Sequence, residues 1–127
     1  MESRKLRLAV VGYGQLGRYA VEAVQAAPDL ELAGVVRRSS SLAKGSPREL
    51  EGITVASHIS QLKSVQAALL CLPSRIVGQA AAEILKKGIH TVDSFDFHAE
   101  IYQHRSSLEQ AARQGGVVAV VSAGWDP

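Results

Sequence analysis

Leu8-Ala9-Val10-Val11-Gly12-Tyr13-Gly14-Gln15-Leu16-Gly17 decides how this chain is read: an apolar run, three glycines spaced G-x-G-x-x-G, and the opening of a helical pattern. A glycine triplet alone is often a plain turn, but in strand-turn-helix context it predicts a dinucleotide site. Gly12 permits the tight turn, Gly14 lets the backbone approach a pyrophosphate with no Cβ in the way, and Gly17 lets the helix pack closely on its strand. The unpaired N–H groups and positive dipole end of that helix would receive the phosphate charge. After the glycines, Leu16, Ala20, Val24 and Ala27 give the expected apolar stripe.

Working outward, the pattern predicts a first strand over Leu6 to Val11, a helix over Gln15 to Ala27 ended by Pro28-Asp29, and a second strand over Leu32 to Val36. Arg37 to Gly52, rich in serine, reads as a loop with one turn of helix, Ile53 to Val55 as a short strand, and Ile59 to Leu62 as a helical turn. Ala67 to Leu72 is an unbroken apolar run, expected of a parallel strand covered on both faces. Pro73 ends it, and Ser74 is placed to cap a helix over Arg75 to Lys87, whose stripe is Ile76, Val77, Ala80, Ala81, Ile84 and Leu85. A fifth strand over Ile89 to Val92, a helix over Ala99 to Gln114 and a sixth strand over Val117 to Val121 complete the alternation. The prediction is α/β: a doubly wound parallel sheet of about six strands, with helices on both faces and right-handed crossovers.

In such a sheet ligands bind beyond the carboxyl ends of the strands, so the residues just after each strand matter most. After the second strand an NAD site usually places an acid about 20 positions beyond the glycines, on the ribose 2′-hydroxyl. Here stand Arg37, Arg38, Ser39, Ser40 and Ser41. Two guanidiniums can clamp a 2′-phosphate, and no acid follows to repel it, so the expected cofactor is NADP; a solvated basic loop is the alternative. Cys71-Leu72-Pro73-Ser74 would lie near the nicotinamide half, Cys71 as a small buried residue rather than a nucleophile. After the fifth strand comes Asp93-Ser94-Phe95-Asp96-Phe97-His98, and after the sixth Ser122-Ala123-Gly124-Trp125-Asp126-Pro127. Asp96 and Asp126, each beside an aromatic ring, suit a substrate ammonium group; the competing reading is that each caps a turn or helix. His58, His90, His98 and His104 have no metal-ligand spacing and read as surface or capping residues.

Composition narrows the classes. With 46% hydrophobic and 20% charged residues the chain is an ordinary globular sequence, and no apolar run approaches the ~20 residues of a membrane span. A net charge of +2, dispersed bases and 5% aromatics lack the footprint of a nucleic-acid binder. One cysteine excludes an internal disulfide, and the absence of a signal-peptide core after Met1 gives a cytoplasmic expectation. At 127 residues the chain fits one dinucleotide-binding domain but is short for cofactor and substrate pockets together.

Taken together, Val10 to Arg18, Gly34 to Arg38, Leu70 to Pro73, Thr91 to Asp96 and Ser122 to Pro127 resemble the meso-diaminopimelate D-dehydrogenases, NADP-dependent Rossmann enzymes of bacterial lysine and cell-wall metabolism. The last two segments are the specific ones. The resemblance implies reversible oxidative deamination at the D-centre of meso-2,6-diaminopimelate. Asp96, Asp126 and Trp125 match the family's substrate ligands, and Tyr13 to Leu16, Arg37 to Ser39, Cys71 to Ser74 and Ser94 to Asp96 match its cofactor contacts. It also implies a homo-oligomer for the full-length family member. The family's chain continues into a substrate-binding and dimerisation domain that this sequence lacks, so little turnover is expected of these residues alone. A dinucleotide-binding module without catalysis, or a related amino-acid or imine dehydrogenase, are the alternatives.

Overall fold

The first apolar run forms β1 (Leu6–Val11), and its consecutive residues feed two different cores. In the computed structural model, which describes residues 5–123, it is followed by α1 (Gln15–Ala26), β2 (Leu30–Val36), a short α2 (Ser39–Leu42), β3 (Val55–Ala56) and β4 (Ala67–Leu70). Then come α3 (Ser74–Lys86), β5 (His90–Asp93), α4 (Ile101–Gly115) and β6 (Ala119–Val120), with 3-10 turns at Arg48–Leu50, Ile59–Gln61 and His98–Glu100. All pairings are parallel and the sheet order is β3-β2-β1-β4-β5-β6. The chain therefore winds one way from β1 and then the other, leaving a switch point between β1 and β4.

Alternation of side chains along the strands divides the interior. Ala9 and Val11 face α3 and α4, packing with Val77, Ala81, Leu85 and Leu108. Leu8 and Val10 face the other way, toward Val24 and Val21 of α1. Val10, Val24, Val35 and Leu85 are each 1% exposed or less. Burial of such side chains contributes ~1.5–3 kcal/mol each, the main cohesive term of the fold.

The predicted boundaries hold to within about two residues at most elements, the usual scatter of helix and strand ends. The sixth strand departs more. Instead of running from Val117 to Val121 it pairs only at Ala119–Val120, on one side among the described residues, leaving Val118 and Val120 60% and 46% exposed. Two helical stripes are also rotated. In α1 the buried face is Gly17, Val21 and Val24, while Leu16 is 51% exposed; in α3, Ile76 is 46% exposed. Ser74 does not cap α3: it is the first helical residue, and its hydroxyl is engaged elsewhere.

Candidate functional site

The three glycines separate by what they touch. Gly12 has φ +96°, which a side chain adopts only with strain, and a Cβ there would run into the Cys71 carbonyl at the end of β4. A Cβ on Gly17 would overlap the Gly12 carbonyl. The turn is thus welded to β4 on one side and to α1 on the other. Gly14 is different: its φ of −93° is open to any residue, and a Cβ there would meet nothing within 4 Å. Only the first and third glycines are required by the protein's own packing.

Gly14 stands at the start of α1, where no side chain caps the helix among the described residues. The first-turn N–H groups therefore face outward with the positive end of the helix dipole. They open on a cleft of about 630 Å³ at the β1–β4 switch point. The structure brings Gly12 to Leu16, Arg37, Arg38 and Cys71 to Pro73 together on its walls. Ser41 of the serine run joins them, and the structure adds Arg75 and Ile76, which the sequence reading missed. Ile76 was expected in the core, as was Leu16 by periodicity though the resemblance made it a cofactor contact, because an amphipathic pattern cannot tell an apolar cleft wall from a packed interior. Ser39 falls on the short α2 and is absent from the walls.

At the far end of the cleft Arg37 lies over the Tyr13 ring, 5.8 Å from its centroid, and donates to the Gly45 carbonyl at 3.1 Å. The Tyr13 hydroxyl donates to Glu49 at 2.9 Å, and Arg18 stands 3.7 Å from the same carboxylate. Burial, then the Glu49 bond, raises the Tyr13 pKa; the backbone N–H of Glu49 itself, then Tyr13, lowers that of Glu49. The sequence reading counted no acid at this corner. The turn at Arg48–Leu50 delivers one, with its charge taken up by Tyr13 and Arg18.

Cys71 is half-buried, and burial pushes its thiol up to about 11, as fits a wall residue and not a nucleophile. Beyond it, the Ser74 hydroxyl donates to the Asp96 carboxylate at 2.7 Å and accepts the Asp96 backbone N–H at 3.0 Å. Asp96 thus caps no helix through its side chain: neither the turn at His98–Glu100 nor α4 carries a side-chain cap bond. Ser94 is half-buried, and the Phe95 ring lies in the core at 6% exposure. Trp125 and Asp126 lie outside the described residues.

One pair escaped the sequence reading altogether. His104, expected at the surface, is 6% exposed with Nε2 2.8 Å from the Asp93 carboxylate, which is itself buried, and its ring stacks on Phe95 at 4.1 Å. The signal was present: His104 falls between Ile101, Leu108 and Ala111 on the inward stripe of α4. His58, by contrast, does cap the turn at Ile59–Gln61, accepting from the Ser60 N–H.

A parallel sheet that reverses at β1 and β4, with an uncapped helix and a guanidinium pair around the crevice so formed, defines a dinucleotide-binding domain. The chain belongs to the oxidoreductase family with an NAD-binding Rossmann fold, whose profile matches residues 6–122. It is 51% identical over 124 residues to the meso-diaminopimelate D-dehydrogenase of Bacteroides fragilis, covering 98% of this chain and 41% of that protein. Two solved structures are similar. The Corynebacterium glutamicum diaminopimelate dehydrogenase in complex with diaminopimelate has TM-score 0.78 at 31% identity, over 97% of this chain and 37% of that one. An engineered D-amino acid dehydrogenase bound to NADP+ has TM-score 0.78 at 30% identity, with the same coverage. The chain thus spans about two-fifths of the length of the curated relatives it matches.

Proposed function

We propose that these residues bind NADP(H) and form the cofactor-side half of a meso-diaminopimelate D-dehydrogenase active site. The observation that carries the reading is the cleft at the switch point, with Gly14 open to it and two arginines at one end, beside an exposed carboxylate anchored at the next strand end. The first-turn N–H groups of α1 hold the pyrophosphate, and Arg37 and Arg38 hold the 2′-phosphate, Arg37 steadied by the Tyr13 ring beneath it. Ser41, on the cleft wall, lends a hydroxyl at the same corner in place of Ser39. Cys71 to Pro73 line the nicotinamide half and Leu16 and Ile76 shield it from water, while Ser74 and the Ser94–Phe95 backbone lie toward the substrate end.

Held by these residues, NADP+ would accept the hydride of the D-centre once the substrate ammonium has given a proton to water, and hydrolysis of the resulting iminium would give oxo acid and ammonia. The chain's part is to bring the amine to the cofactor. Asp96 and Asp126 offer two carboxylates to one ammonium, and Trp125 covers its apolar side. Support for the substrate comes from the likeness to the Bacteroides fragilis and Corynebacterium glutamicum enzymes. The test is steady-state deamination by the natural protein that carries this chain, with Asp126→Asn beside it. NADP-dependent turnover of meso-diaminopimelate, falling about ten- to a hundredfold in kcat/KM in the variant at unchanged NADPH affinity, supports the reading. Normal kinetics in the variant, with only a lower melting temperature, would return Asp126 to a structural role.

A further inference from the structure

Asp93, at the end of β5, is a fully buried carboxylate with partners from two loops and from α4. One oxygen accepts the Phe95 N–H at 3.0 Å and the Ser122 N–H at 2.9 Å. The other faces His104 Nε2 of α4 at 2.8 Å. The backbone carbonyl of Asp93 accepts the Ala123 N–H at 2.7 Å. The His104 ring lies almost flat on Phe95, 9° from parallel, so the residue preceding Asp96 is held through both its amide and its ring.

Ser122 adds an independent sign. Its φ is +55°, a left-handed conformation uncommon for a residue other than glycine. In that conformation its N–H points at the Asp93 carboxylate. A buried polar pair is a poor way to hold a helix against a sheet, since apolar residues of the same size do so at least as well. What a leucine could not do is gather two loop amides onto one point.

We infer that the Asp93–His104 pair is a positioning pair for the substrate carboxylate Asp96: it fixes the backbone of the 94–96 loop against the chain at Ser122, and so sets where Asp96 meets the reacting amine. Neither residue touches the substrate. The inference rests on the reading of Asp96 as a substrate ligand.

The natural protein carrying this chain, as wild type, His104→Leu, His104→Gln, Asp93→Asn and Asp96→Asn, tests it through NADPH affinity, kcat and KM for meso-diaminopimelate, and hydrogen exchange at the Phe95 and Ser122 amides. Leucine keeps the volume and loses the bond, whereas glutamine offers an amide N–H near the position of Nε2. The leucine variant should lose up to about a hundredfold in kcat/KM and exchange both amides faster, with NADPH affinity unchanged; glutamine should restore most of the loss. Should the leucine variant fail to fold, Asp93→Asn, which keeps volume and an acceptor oxygen, should move the same readouts in the same direction by a smaller factor. Wild-type kinetics in folded His104→Leu or in Asp93→Asn, with Asp96→Asn impaired, overturns the positioning role alone. Unimpaired Asp96→Asn overturns the reading of Asp96 as a ligand, and the inference with it.

Discussion

Ser74 and Asp96 are clasped from both sides, the serine hydroxyl donating to the aspartate carboxylate at 2.7 Å and accepting the aspartate amide at 3.0 Å. The clasp joins the first residue of α3, which follows β4, to the segment after β5. It also orients an exposed carboxylate that would otherwise sample several rotamers.

Ser74→Ala should therefore act on substrate use more than on stability. A hydrogen bond to a charged group contributes about 1.5–3 kcal/mol, and exposure takes this one to the lower end, so kcat/KM for the amino acid should fall about tenfold. A thermal melt and an NADPH titration of the same variant should stay close to wild type. An unchanged kcat/KM would mean that Asp96 is placed by its backbone alone.

The three glycines should separate in the same experiment. Gly12→Ala and Gly17→Ala force a methyl group into a carbonyl oxygen, and each should cost about 1–3 kcal/mol or more in urea denaturation. Gly14→Val meets empty space, so it should fold normally and lose both NADPH and NADH. A stable Gly14→Val that keeps its affinity would move the pyrophosphate away from this turn.

The strands of the sheet and the glycine turn were legible because they rest on local rules: apolar runs bounded by glycine and proline, and a motif in its strand-turn-helix setting. Two kinds of feature were not. Ile76 carries the periodicity of a core residue, and only the packed structure reveals that its side chain borders a cleft. Glu49 and Asp93 were hidden for a different reason. Their roles depend on partners 36 and 11 residues away, Tyr13 and His104, which no local spacing links.

Cys71 should behave as an inert wall residue. Its thiol ionises near 11 in the folded protein against 9.0 for an ordinary thiol, so at pH 8 iodoacetamide should label it about a hundredfold more slowly than in the urea-unfolded chain. Between those two values the folded state keeps a proton that the unfolded state has lost. Stability from this group is thus complete below pH 9.0 and declines as pH rises toward 11, which urea melts of wild type and Cys71→Ala can compare. Rapid labelling of the folded protein at pH 8 would identify a reactive thiol instead.

Calorimetric titration of NADPH and NADH into the protein, wild type beside the Arg37→Ala, Arg38→Ala double variant, tests the central claim most directly. Each guanidinium offers the 2′-phosphate a charge-assisted bond worth about 1.5–3 kcal/mol, so the wild type should bind NADPH at least about tenfold more tightly than NADH at low salt. The double variant should lose that preference and keep its NADH affinity. Equal affinity of the wild type for the two cofactors, or binding of neither, would contradict the assignment of the cleft to NADP(H).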